Sequence, residues 1–141
     1  MDLEEICRLY DEGYDCAQSV IYAMRDRMNG NVDDILKSVS CMGMGLLRGS
    51  VCGAILGAYA VIGLKYGSEK PDFSMKGLTL IKREEFMTEF HKKYNGITCP
   101  ELMGLDIRKN DENIKAFQDG VYKEHCPRMC SDIVDILERI L

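Results

Sequence analysis

No Cys-x-x-Cys pair occurs among the seven cysteines of these 141 residues, and no Cys-x-x-Cys-His. The first absence argues against a zinc ribbon and, less strongly, against a bacterial-type ferredoxin, whose ligands come in such pairs. The second removes any signal for c-type haem attachment. Lys and Arg form no run, and the net charge of −5 argues against a nucleic-acid partner. There is no GK[ST] phosphate loop and no GxGxxG. The longest apolar run, Val51 to Leu64, has 14 residues. A bilayer span needs about 20, so this run predicts a buried core helix and no membrane span. The opening MDLEEICRLYDEG is acidic and has no apolar signal core. No secretory or transit peptide is expected, and the expected compartment is the reducing cytoplasm. Alternating strand patterns, repeats and linkers are missing as well.

What is present reads as one all-α domain over residues 1–141, a compact bundle of six to eight helices. Residues 2–11 carry Leu3, Ile6, Cys7 and Tyr10 at helical spacing. Asp15 can cap a second helix through Ala17, Val20, Ile21 and Met24, which Asn29-Gly30-Asn31 ends. Asp33 or Asp34 starts a short helix through Ile35, Leu36 and Val39. A Gly-rich loop, CMGMGLLRGS, then precedes a core helix rich in Gly and Ala. Residues 74–94 predict a long helix whose apolar side is Leu78, Ile81, Phe86, Met87, Phe90 and Tyr94. Thr98 with Glu101 is a capping-box signature, and residues 111–119 form another short helix. The last helix is expected to begin near Cys126-Pro127 and run to Leu141.

Four cysteines share one local context. Cys16 follows Gly13-Tyr14-Asp15, Cys52 follows Gly49-Ser50-Val51, and Cys99 and Cys126 each precede a proline. Each reads as a helix start, where unpaired N–H donors and the positive end of the dipole lower thiol pKa values. Four such ends at one spot suit a thiolate cluster, an iron–sulfur centre or a bound anion. Cys7 and Cys41 read as small buried hydrophobes. Cys130, four residues after Cys126, reads as a resolving thiol, a fifth ligand or core.

The segments GYDCAQSV, VCGAILGAYAVIGLKYG, ITCPELMG and HCPRMC, in this order, resemble the C_GCAxxG_C_C family of putative redox-active proteins. CGAILG at Cys52–Gly57 matches the family's CGAxxG motif. The resemblance covers nearly the whole chain and places the family's four cysteines on Cys16, Cys52, Cys99 and Cys126. It implies a redox role and, because members are often encoded near transporters, a functional link to a transporter.

Several chemistries stay open. Four thiolates can hold an iron–sulfur cluster or zinc, and two pairs can carry thiol–disulfide exchange with a redox partner and no cofactor. A non-catalytic metal-binding or redox-sensing module is the alternative, and a purely structural role for the cysteines is another. Cys16, Cys52, Cys99 and Cys126 carry each functional reading. His125 is either a base or ligand beside Cys126 or a solvated side chain, with the solvated reading favoured. The loop glycines are expected to let the backbone pass close to the cysteines, with Arg48 balancing negative charge or simply exposed. His91 is expected on the surface, and the methionines as core filler. The thin Gly/Ala face also offers a contact for a homodimer.

Overall fold

Three reciprocal caps set the helix starts in the computed structural model, which describes residues 1–141. Asp2, Asp15 and Thr98 each accept from the backbone of the residue three positions on, while that residue's side chain accepts from the cap's own N–H. The caps satisfy donors that a helix start otherwise leaves unpaired. The helices are α1 (Leu3–Asp11), α2 (Cys16–Ala23), α3 (Val32–Ser38), α4 (Gly53–Tyr66), α5 (Phe73–His91), α6 (Cys99–Met103), α7 (Asn110–Gln118) and α8 (Val121–Ile140). A 3-10 turn at Arg25–Arg27 and a wide turn at Gly45–Gly49 complete the list. There is no strand, only an isolated antiparallel bridge between Val51 and Thr98. The all-α expectation therefore holds.

The middle of the molecule is α4, which packs against α2, α5 and α8. Ala54, Ile55, Ala58, Val61 and Ile62 are fully enclosed. The small residues set its distance from α2. A Cβ on Gly57 would lie 2.8 Å from the Ala17 carbonyl oxygen, and one on Gly53 would lie 2.7 Å from that of Met42. The Gly53 and Gly57 face is thus occupied inside the molecule. From α5, Phe86 and Phe90 enter the core with rings 6.0 Å apart, and Phe86 meets Tyr59 edge-on. Burying side chains of this size contributes about 1.5–3 kcal/mol each.

Several boundaries differ from expectation. The last helix begins at Val121, straight after a left-handed Gly120, so Pro127 lies inside it rather than in its first turn. An interior proline costs about 3 kcal/mol, because it gives no N–H to the carbonyl four residues back. Burial of Met129, Ile133, Val134 and Leu137 on the same helix outweighs that cost. In α5 the apolar side extends only over Phe86, Met87 and Phe90. Leu78 and Ile81 are exposed because the first half of the helix runs beyond the core. Tyr94 lies past the helix end, stacked on Phe90. Asn31, not an aspartate, caps α3.

Candidate functional site

Cys16 is the first residue of α2, Cys52 is the cap residue of α4, and Cys99 is the first residue of α6. Cys126 is not at a helix start; it lies in the second turn of α8. Three of the four expected helix starts are therefore present and the fourth is not. All four cysteines nonetheless line one cavity of about 30 Å³, together with Met44, Ala54, Leu102, Met103, Tyr122, His125 and Met129. That volume is the scale of one or two waters. No Asp, Glu, Lys or Arg lines it. Cys16, Cys52 and Cys99 are 8, 7 and 6% exposed, and Cys126 is half-buried.

Within the cavity the thiols fall into pairs. The bridge between Val51 and Thr98 sets Cys52 beside Cys99: the Cys52 N–H donates to the Ile97 carbonyl at 2.7 Å, and the Cys99 N–H donates to that of Ser50 at 3.1 Å. The Cys52 thiol hydrogen-bonds the Cys99 sulfur and holds its pKa below the ordinary thiol value, with help from the Gly53 N–H at the start of α4. The same bond, with burial, pushes Cys52 well up. On the other side, hydrogen bonds from Cys126, Cys130 and Tyr10 and from the Met44 backbone hold Cys16 well below the ordinary thiol value despite its burial. Its partner Cys126 is pushed far up by that bond and by burial.

The backbone donor at Met44 depends on an unusual turn. Met44, Gly45, Leu46 and Leu47 all have positive φ, between 51° and 61°. Ser50 N–H closes the turn onto the Gly45 carbonyl at 2.8 Å. A left-handed turn costs non-glycine residues about 1–2 kcal/mol each. Gly45 itself is required, because a Cβ there would lie 2.5 Å from the Ser50 carbonyl oxygen. The loop therefore passes close to the cysteines, as its glycines predict. Arg48 is exposed and does not line the cavity.

His125 departs from its favoured reading. Its Nε2 is buried without a hydrogen-bond partner, the ring lines the cavity, and burial lowers its pKa. His91 is on the surface as expected, its Nδ1 3.1 Å from the Tyr94 carbonyl oxygen. Cys41 is exposed and Cys7 half-buried, so neither is the core residue expected. Cys130 is fully buried beside Cys16. Tyr10, Met44 and Tyr122 were not singled out from the sequence. Tyr10 looks there like one more apolar position of α1, and nothing in the order of residues announces its hydroxyl.

No group of three His, Cys, Asp or Glu side chains is placed to hold a metal ion. In comparisons with known proteins, residues 14–140 match the profile of the family described as "Putative redox-active protein (C_GCAxxG_C_C)". No curated protein and no solved structure matched the chain.

Proposed function

The chain belongs to the C_GCAxxG_C_C family, and on that premise we propose that it is a thiol–disulfide redox protein with two dithiol pairs, Cys16–Cys126 and Cys52–Cys99. The observation that carries this reading is the convergence of the four cysteines on one cavity without charged side chains, with Cys52 set beside Cys99 by the Val51–Thr98 bridge. Thiol–disulfide exchange needs a thiolate to attack and a second thiol to resolve. The Cys16 thiolate attacks one sulfur of a small disulfide, whose other sulfur leaves as a thiolate. Cys126 then attacks the Cys16 sulfur of the mixed disulfide, and its proton goes to the departing thiolates. The substrate disulfide gains two electrons, and the Cys16–Cys126 bond holds the oxidising equivalent. Cys99 and Cys52 are arranged for the same sequence. The slight exposure of Cys16 and Cys99 favours a small disulfide or an extended segment over a flat protein surface.

Thiol titration and peptide mapping of anaerobically purified protein, before and after treatment with a small disulfide, test this. Seven reactive thiols should fall to three, with Cys16–Cys126 and Cys52–Cys99 as the linkages. Retention of all seven would overturn the reading. Visible absorption with bound iron and sulfide, lost in Cys52→Ser, would replace it with an iron–sulfur protein. Zinc alone would make the module a metal-binding or sensing one.

A further inference from the structure

We propose that Cys130 is a second resolving thiol for Cys16, so that Cys16 can close a disulfide with either of two sulfurs one helical turn apart. The inference rests on the dithiol reading above. Cys126 and Cys130 are four residues apart on α8 and so share a face. Cys126 lines the cavity with Cys16, and Cys130 is fully buried beside it. The Cys130 thiol lies 3.6 Å from the Cys16 carbonyl oxygen, to which it donates. Its Sγ is 3.3 Å from the hydroxyl of Tyr10.

A cysteine acting only as core filler needs no hydroxyl beside it, because a thiol is a weak hydrogen-bonding group and packs as a small hydrophobe. Here a tyrosine from α1 brings its one polar atom to the Cys130 sulfur, which itself lies against the Cys16 backbone. Tyr10 is the positioning residue of this arrangement, and Cys130 the reacting one.

The step is an internal exchange. Cys130 attacks the Cys16 sulfur of the Cys16–Cys126 disulfide as its proton leaves. The Cys16–Cys130 bond forms, Cys126 leaves as a thiolate, and it takes the proton that Cys130 gave up. No electrons enter or leave the protein. The disulfide moves from a half-buried sulfur to one with no exposure, so that only its Cys16 side stays open to external thiols. Cys126 is returned to the cavity as a free thiol.

The test is disulfide mapping of the full chain after treatment with a small disulfide and an acid quench. In Cys126→Ser a Cys16–Cys130 linkage should form, while Cys52–Cys99 forms as in the wild type. Adding Tyr10→Phe should lower the Cys16–Cys130 yield several-fold without changing Cys52–Cys99. If Cys126→Ser leaves Cys16 and Cys130 both open to alkylation while Cys52–Cys99 forms, Cys130 is not a resolving thiol and the dithiol reading stands. If the wild type forms no linkage at all, the dithiol reading itself falls. Wild-type mapping also covers a variant that does not fold: a Cys16–Cys130 fraction there supports the inference, and its complete absence overturns it.

Discussion

Gly57 brings α4 onto Ala17 of α2 so closely that its missing Cβ would stand 2.8 Å from the Ala17 carbonyl oxygen and 3.1 Å from the Val20 Cβ. Gly63, on the same helix, has nothing within 4 Å of its missing Cβ. The same substitution should therefore act in opposite directions at the two sites. Gly63→Ala is expected to stabilise by about 0.5–1 kcal/mol through helix propensity. Gly57→Ala gains the same propensity but must separate two backbones, and overpacking costs about 1–3 kcal/mol. Urea denaturation should show a rise in midpoint for the first and a fall for the second.

The left-handed turn before Cys52 gives a second prediction. Leu46 and Leu47 hold φ of 60° and 58° and are 45 and 61% exposed, so little burial offsets their strain. Leu46→Gly with Leu47→Gly should raise stability, by roughly 1 kcal/mol after the entropy glycine adds to the unfolded chain. Gly45→Ala should do the reverse and release the Met44 amide from Cys16. A thermal melt that falls for the double glycine variant would contradict the strain assigned here.

These sites also show what the sequence makes legible. The caps at Asp15 and Thr98 are readable because their bonds lie within four residues of chain. The proline after Cys126 misleads, since the same residue type opens α6 at Pro100 and sits inside α8 at Pro127, and only the burial of the later part of α8 distinguishes them. Leu78 and Ile81 have helical spacing, but spacing says nothing of how far a helix outruns its core. The motif cysteines stand out by local context, whereas their division into pairs depends on a two-residue bridge and a helix face. No local signal encodes either. The run of positive φ at Met44, Leu46 and Leu47 is likewise invisible, because those residues ordinarily avoid it.

His125 should make stability depend on pH. Burial holds its folded pKa below the ordinary histidine value of 6.5. Its contribution is fully present above about pH 6.5 and is lost as pH falls toward the folded pKa, because only the unfolded chain then takes up the proton. Wild-type stability should decline between pH 7.5 and 5.5, and His125→Gln should flatten that decline. Equal slopes for the two proteins in denaturant titrations would remove His125 as the source.

Oxidation should raise the melting temperature. A Cys16–Cys126 bond closes a loop of about 110 residues and a Cys52–Cys99 bond one of about 50, each worth about 4–5 kcal/mol in the chain-entropy account. At roughly 3 °C per kcal/mol for a domain of this size, either crosslink alone lifts Tm by about 12–15 °C. Calorimetry of the reduced and oxidised forms, with Cys16→Ser and Cys99→Ser as single-crosslink variants, reads each contribution. A Tm unmoved by oxidation would mean that the bonds do not close in the folded protein.

The sulfurs of the cavity come from the start of α2, the residue before α4, the start of α6 and the second turn of α8. No contiguous peptide cut from this chain carries both thiols of a pair unless it runs 48 residues for Cys52–Cys99 or 111 for Cys16–Cys126. A grafted helix or a shuffled exon would import a cysteine without its partner. A cavity assembled from such distant stretches is inherited whole, and each of the four stretches can vary only in step with the other three.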